Sequence, residues 1–506
     1  MKLQRHWMTI LFLTLAMLAG GALMGLAKTG EFDYAALEGV AVQDFGSVKT
    51  LLTYASERAQ AITGKAVFEG RHPIETLLEI IAQPEEWRDR RVIRVDHPEL
   101  VAFFNLTKEK YRRVSVSDLS SRESIQYLWQ HSEASGPLGK GVRKLLLSDQ
   151  AFIHAEEELA LIPVKGDGAT WFSPLDSEAE TVPGGTEIVE AWREVCAAYR
   201  DGDAERFNAA AGRLAALNRQ GVERAGGDLR GLAADRLYTK MKPLRWSFVL
   251  YLFAFLCSLG VLVFRREGMW QAVIGLLSAG LALHLCGMGL RWLIAGRAPL
   301  SNLYESFVFA IAGMIFFAIV FDVKTKNRLA GACGALLGFI CLVLADKMPV
   351  MNSELRPLMP ALQSSWLTYH VITIMLSYSA FALSFMVSVL YVICHAFKIE
   401  RPYLELKRLD FFNYRIIAVG FPLLTIGIIT GAVWAATAWG RPWAFDPKET
   451  WSAITWVIYG IYLHVRFLPK GRGLWSAILS IIGFAAVLFT YLGVNLLLSG
   501  LHSYAA

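Results

Sequence analysis

Cysteine is scarce in this chain of 506 residues: six are present, and five of them, Cys257, Cys286, Cys333, Cys341 and Cys394, lie within or at the ends of apolar runs. Residues 28–245 hold Cys196 alone, so that segment closes no internal disulfide. No CxxC or CxxCH occurs, which excludes a thioredoxin-like redox pair and a covalently attached haem c in this chain. The formal net charge of +6 is not gathered into a basic patch interleaved with aromatics, so nucleic acid is not an expected partner. There is no tandem repeat and no low-complexity tract. His6, His72, His97, His131 and His154 are scattered without metal-ligand spacing, and His395 stands in a basic flank that accounts for it. Charge itself is thin from 246 to 500, where long runs of Leu, Ile, Val, Phe, Ala and Gly dominate.

Apolar surface is what the chain has in excess. Hydrophobic residues make up 54%, aromatics 12%, and the mean hydropathy is +0.39, against roughly 45 to 50% apolar in a soluble domain. Stretches long enough to cross a bilayer fall at about 7–27, 246–264, 270–293, 304–323, 329–346, 367–396, 414–436, 452–469 and 475–499. The expectation is an all-α polytopic membrane protein of about nine transmembrane helices. Residues 1–27 form an anchor or a signal peptide, 28–245 a mainly helical extracytoplasmic domain, and 246–506 an eight-helix membrane domain. In the outer domain the runs Ile74–Ile81, Glu156–Leu161 and Ile188–Tyr199 read as helical, with breaks at Pro84, Pro137 and Gly184–Gly185.

Orientation follows from the loops. Arg265 and Arg266, then Lys324, Lys326 and Arg328, then Lys398, Arg401, Lys407 and Arg408, then Lys470 and Arg472 fall on one side, which the positive-inside rule assigns to the cytoplasm. The loops around 294–303, 347–366 and 437–451 and the tail from Ser499 then face outward. This reads as a multi-pass protein of the bacterial inner membrane, with its soluble domain toward the periplasm or cell exterior.

One outward loop is unusual. Trp434, Trp439, Trp443, Trp451 and Trp456 are five of the 15 tryptophans, packed into 23 positions. An aromatic belt at the interface is the ordinary reading; the sharper one is a shelf on which a large planar apolar ligand stacks. Asp446, Pro447 and Glu449 read as a helix start. Such a start also aims backbone N–H groups at an anion, and Arg441 and Lys448 add positive charge. A planar aromatic ligand with carboxylates suits that environment, and haem with its propionates is one.

Haem iron needs axial ligands, most often imidazole. His370, just inside the outward end of its helix, and His502, just beyond the last helix, share the depth of the tryptophan loop. A lone interfacial histidine is usually only a polar residue; two beside an aromatic shelf make a candidate iron-ligand pair. His464 lies toward the cytoplasmic end of its helix, and His284 lies within an apolar helix. Each is a functional candidate by its depth, or a neutral imidazole bonded to a neighbour.

The run Trp439-Gly440-Arg441-Pro442-Trp443-Ala444-Phe445-Asp446-Pro447-Lys448-Glu449-Thr450-Trp451 closely resembles the tryptophan-rich WWD signature of the haem-handling family, in its CcsA (ResC) branch of System II cytochrome c maturation. Gly296–Pro299 with Ser301–Ser306, Trp366–Val371, Leu463–Arg466 and Gly500–Tyr504 add to the likeness, which covers residues 246–506. Phe445 departs from the usual Trp while keeping a ring. The resemblance implies binding of haem b, with His370 and His502 as its axial ligands and His464 as a transmembrane histidine holding haem on its way out. Trp434, Trp439, Trp443, Phe445, Asp446, Arg441, Lys448 and Trp451 are then cofactor-binding. It further implies delivery to apocytochrome c, as a component of a holocytochrome c synthase. Fused relatives carry a CcsB (ResB) portion absent from this sequence, so the resemblance implies a separate ResB/CcsB-like partner, with membrane lipid around both. Residues 48–64 and 72–87 look like the extracytoplasmic region preceding CcsA in some fusions. The competing readings are a membrane electron carrier that keeps its haem and a System I haem-handling protein. A secondary transporter ranks last, because Glu305 and Asp322 lie near span ends.

Overall fold

The computed structural model describes residues 31–166, 168–264, 267–326, 328–348, 351, 353–358, 362–399, 404–468 and 471–498. The chain divides into two compact units, residues 1–241 and 242–506. Among the described residues it is helical apart from two two-stranded sheets and isolated bridges.

In the first unit β1 (Ala41–Asp44) and β2 (Ser47–Thr50) form a hairpin in the register Ala41↔Thr50. Phe45 (φ 47°) and Gly46 (φ 76°) make its two-residue turn, both left-handed, as the twist of a tight hairpin requires. The helices are α1 (Leu51–Thr63), α2 (Pro73–Ala82), α3 (Pro84–Arg88), α4 (Pro98–Phe103), α5 (Val116–Leu119), α6 (Arg122–His131), α7 (Pro137–Ile153), α8 (Gly185–Asp201), α9 (Ala204–Ala225) and α10 (Leu229–Met241). Between α4 and α5 the strand β4 (Arg113–Val114) pairs with β3 (Ile93–Arg94). The expected breakers act as helix starts: Pro84 and Pro137 each open a helix, and Gly184 caps α8 with φ 82°. Trp192 and Phe207 of α8 and α9 pack with Leu51 and Leu77 of α1 and α2 in one core. Glu156–Leu161 is not helical, contrary to the expectation. Its chain turns and then bridges the hairpin edge at Gln43↔Ala160, and Pro163 just beyond disfavours helical backbone before it.

The second unit contains α11 (Pro243–Phe264), α12 (Glu267–Ala295), α13 (Leu303–Thr325), α14 (Leu329–Lys347), α15 (Ser365–Ala396), α16 (Leu406–Trp439), α17 (Pro447–Val465), α18 (Leu474–Leu488) and the short α19 (Val494–Leu497). Seven helices among the described residues are long and apolar enough to cross a membrane, so the molecule is a polytopic helical membrane protein. The count of nine is not reached. The stretch 7–27 lies outside the described residues, and α17 is not one of the seven, because Lys448, Glu449 and His464 dilute its apolar residues.

Close contact between α15 and α16 organises the site. At Gly427 a Cβ would lie 2.5 Å from Ile374, and at Gly431 it would lie 2.6 Å from the His370 ring. Glycine at both positions lets the backbones approach, as small residues do in membrane bundles. Further along, Phe381 stacks on Tyr459 of α17 at 3.6 Å and 7°. At the far end of α17 the Arg466 guanidinium grips Asp410 of α16 with two bonds of 2.7 and 2.8 Å, and the Gly473 N–H donates to the same carboxylate at 3.0 Å.

Candidate functional site

A cavity of about 720 Å³ opens at the end of the bundle where α16 passes into α17. That volume lies within the range of small-molecule sites. Its apolar wall includes Val371, Ile374, Met375, Trp434 and Trp443, and its polar groups include Arg297, Arg356, Lys448 and Tyr491.

His370 stands in that wall on the first turns of α15. Its Nδ1 lies 2.7 Å from the carbonyl oxygen of Gly427, and since a carbonyl only accepts, Nδ1 carries the proton. In the neutral ring Nε2 is therefore the lone-pair nitrogen, which is how ligating histidines are commonly prepared. The ring lies nearly parallel to Trp434 at 12° and 6.4 Å.

The tryptophan run divides between helix and loop. Trp434 and Trp439 stand on α16, which extends to Trp439 before Gly440 (φ 73°) ends it, and the two indoles meet edge to face at 4.7 Å. Trp443 lies in the loop and lines the cavity. Phe445 is 81% exposed on a left-handed backbone (φ 57°), with its ring 6.3 Å from Trp443. Trp451 packs on Phe489 at 4.2 Å rather than into the cavity, and Trp456 donates to Thr425 at 2.9 Å.

The start of α17 is built as its sequence implies. Asp446 accepts the Lys448 N–H at 3.0 Å, and the Glu449 carboxylate accepts the N–H groups of Ala444 at 2.7 Å and Asp446 at 3.2 Å. Lys448 turns its ammonium to Asn495 Oδ1 at 2.7 Å. Arg441 is exposed. His464 sits near the opposite end of α17, exposed, with Nδ1 2.8 Å from the Gly460 carbonyl; the rise of an α-helix puts it roughly 25 Å from Asp446. His502 lies outside the described residues. His284 is fully buried, 3.3 Å from the Tyr251 hydroxyl. The structure thus brings His370, Trp434, Trp443 and Lys448 to one cavity, with Trp439, Phe445 and Asp446 beside them.

Sequence reasoning passed over the opposite rim. Glu305, fully buried in the first turn of α13, receives Arg291 at 3.1 Å and Arg297 at 3.2 Å. Arg291 also donates to the Ser353 carbonyl and Arg297 to that of Arg356, which ties residues 353–356 to α12 and α13. Tyr491, in the π turn Phe489–Gly493, places its hydroxyl 3.0 Å from the Leu303 carbonyl and 2.9 Å from Ser306 Oγ. The available signal was a carboxylate opening one apolar span and an arginine closing another, since ionisable groups at that depth are costly without partners.

Known proteins resemble this half of the chain. Residues 300–502 match the family model described as cytochrome C assembly protein. The cytochrome c biogenesis protein CcsA of Guillardia theta is 42% identical over 240 residues, which is 43% of this chain and 80% of the relative. That of Porphyra purpurea is 38% identical over 272 residues, 45% of this chain and 84% of the relative. That of Synechococcus elongatus is 38% identical over 280 residues, 45% and 86%. Identity at this level over four-fifths of the relatives' length means that the chain belongs to the CcsA family of cytochrome c biogenesis proteins.

Proposed function

We propose that the cavity holds haem b and presents it for covalent attachment to apocytochrome c, in company with a ResB/CcsB-like membrane protein. The observation that carries this reading is His370: a cavity-wall imidazole whose Nδ1–H is fixed on the Gly427 carbonyl, so that Nε2 is the nitrogen prepared for iron. The surroundings fit the ligand, with apolar and aromatic walls for a porphyrin face and cations for its carboxylates. Haem brings the reactive vinyl groups. The chain contributes position: Trp434 backs the imidazole, Trp443 closes a wall, and Lys448 stands at the start of α17 beside a helix end that favours an anion. Proximity, rather than an acid–base pair, is what these residues supply.

In this reading His502 is the second axial ligand, displaced by the substrate's own histidine, and His464 holds haem earlier on its path. Trp439, Phe445, Arg441, Asp446 and Trp451 shape or flank the shelf. Residues 28–245 form the extracytoplasmic domain, and the cavity faces the same side of the bacterial inner membrane, as the basic loops on the other side support. The test is the visible spectrum of the purified protein, alone and with a ResB-like partner, for wild type, His370→Ala and His502→Ala. Loss of the haem band in the variants, with holocytochrome formation rescued by added imidazole, is expected. Unchanged bound haem in the double variant refutes the ligand assignment.

A further inference from the structure

Lys448 differs from the arginines that line the same cavity. Arg297 meets the Glu305 carboxylate at 3.2 Å and Arg356 meets that of Glu354 at 2.9 Å. Among the described residues the partly buried Lys448 forms no ion pair, and the hydrogen bond of its ammonium goes to Asn495 Oδ1 at 2.7 Å, a neutral amide oxygen. The acids beside it in sequence hold backbone N–H groups instead: Asp446 accepts that of Lys448 at 3.0 Å, and Glu449 accepts those of Ala444 and Asp446. Asn495 is itself fixed. Its Nδ2 donates to the Tyr491 carbonyl at 2.9 Å, which leaves Oδ1 for the ammonium, a group that only donates. Tyr491 belongs to the π turn Phe489–Gly493, a feature frequent at functional sites, and its hydroxyl is anchored on Leu303 and Ser306. An amide oxygen seats an ammonium without neutralising it. Beside apolar walls, such a charge favours an anionic partner over a neutral one.

We infer that Lys448 binds a carboxylate of the cavity's ligand, and that Asn495 is the positioning residue that holds the ammonium for it while leaving its charge intact. This rests on the haem reading above and deepens it: the propionate edge of the porphyrin lies at the start of α17. With the iron on His370 and a propionate on Lys448, the carboxylate-free edge, which bears the vinyl groups, points away from Lys448. Presentation of the vinyls is then set by charge as well as by stacking.

The test compares ferric protoporphyrin IX with its dimethyl ester, each titrated into the full chain in phosphatidylcholine nanodiscs and followed by the Soret band. Lys448→Gln weakens the free acid roughly tenfold to a hundredfold, as expected for a hydrogen bond to a charged group, and leaves the ester unchanged. Lys448→Arg recovers part of the loss because it keeps the charge. Asn495→Asp sets a carboxylate where the amide oxygen stands, so it pairs with the ammonium and weakens the acid toward the ester. A mere loss of stability does not narrow that difference, since instability weakens both alike. His370→Ala weakens acid and ester together. Equal effects of Lys448→Gln on the two ligands overturn the inference while the His370-dependent band upholds the haem reading, and an undiminished preference for the acid in Asn495→Asp overturns the role of Asn495. Absence of a His370-dependent band with either ligand overturns the haem reading and this inference with it.

Discussion

Replacing Gly431 with alanine tests the seating of His370. In an α-helix this substitution ordinarily stabilises by about 0.5 to 1 kcal/mol, because glycine loses more conformational freedom on folding. Here the new Cβ would lie 2.6 Å from His370 Nδ1 and 2.7 Å from Cε1, where ordinary contact begins at 3.4 Å. The ring has little slack, since its Nδ1–H is bonded to Gly427 at 2.7 Å on the same helix and its face is backed by Trp434. Overpacking of this kind costs about 1 to 3 kcal/mol, and loss of the Nδ1 bond adds about 1 kcal/mol. The sign therefore reverses, and Gly431→Ala destabilises by roughly 1 to 3 kcal/mol. Haem affinity falls further than stability implies, by about tenfold to a hundredfold, the usual cost of losing the group that orients a metal-bound histidine. Thermal unfolding and Soret titration measure the two effects. The double variant with His370→Ala separates them: removing the ring removes the clash, so Gly431→Ala becomes stability-neutral or better in that background. Wild-type haem affinity with an unshifted spectrum in Gly431→Ala refutes the argument that the Gly427–Gly431 stretch aims the imidazole.

Two further outcomes follow from ion pairs away from the cavity. Asp410→Ala strands the Arg466 guanidinium, whose side chain is 10% exposed, and frees the Gly473 N–H; thermal unfolding in detergent should show a loss of roughly 3 kcal/mol, as for other buried pairs broken on one side. In the outer unit, burial alone would push the Glu38 carboxyl up, but hydrogen bonds from His72, Lys240 and Arg236 outweigh it and hold it at about 2. A depressed folded value means the stabilisation is complete above the ordinary value of 4.5 and is lost as pH falls from there toward 2. It amounts to at most about 3 kcal/mol. Hydrogen exchange of residues 37–51 in the full chain should rise across that window, and Glu38→Gln should flatten the dependence.

The helical membrane architecture was legible because seven of the described helices announce themselves by length and composition, and the tryptophan run marked one end of the bundle without any knowledge of packing. The helix start at Asp446, Pro447 and Glu449 was legible for the same local reason, and the capping bonds are in place. What sequence left open was contact between distant segments. Nothing local ties Arg291 to Ser353 or Arg297 to Arg356, so Glu305 read as a charge near a span end rather than as the knot of a rim. Local pattern also misassigned Glu156–Leu161, where pairing with Gln43 overrides helical propensity. Trp439 read as a loop residue beyond the span 414–436, yet α16 continues through it because its next break is Gly440.

That continuation explains why a short loop can carry so much of the site. Only residues 440–446 separate α16 from α17, and the Glu449 carboxylate draws the Ala444 and Asp446 N–H groups onto itself. The turn so formed pushes the Phe445 ring into the open and keeps Trp443 at the cavity. Lys448 and Glu449 both line the cavity: Glu449 closes the turn, while Lys448 carries its ammonium to Asn495. Capping and ligand reading are therefore not rival explanations of this segment. The carboxylate that satisfies the helix end stands in the cavity lining next to the ammonium, and Glu449→Gln, which weakens the cap, should loosen the seating of Lys448.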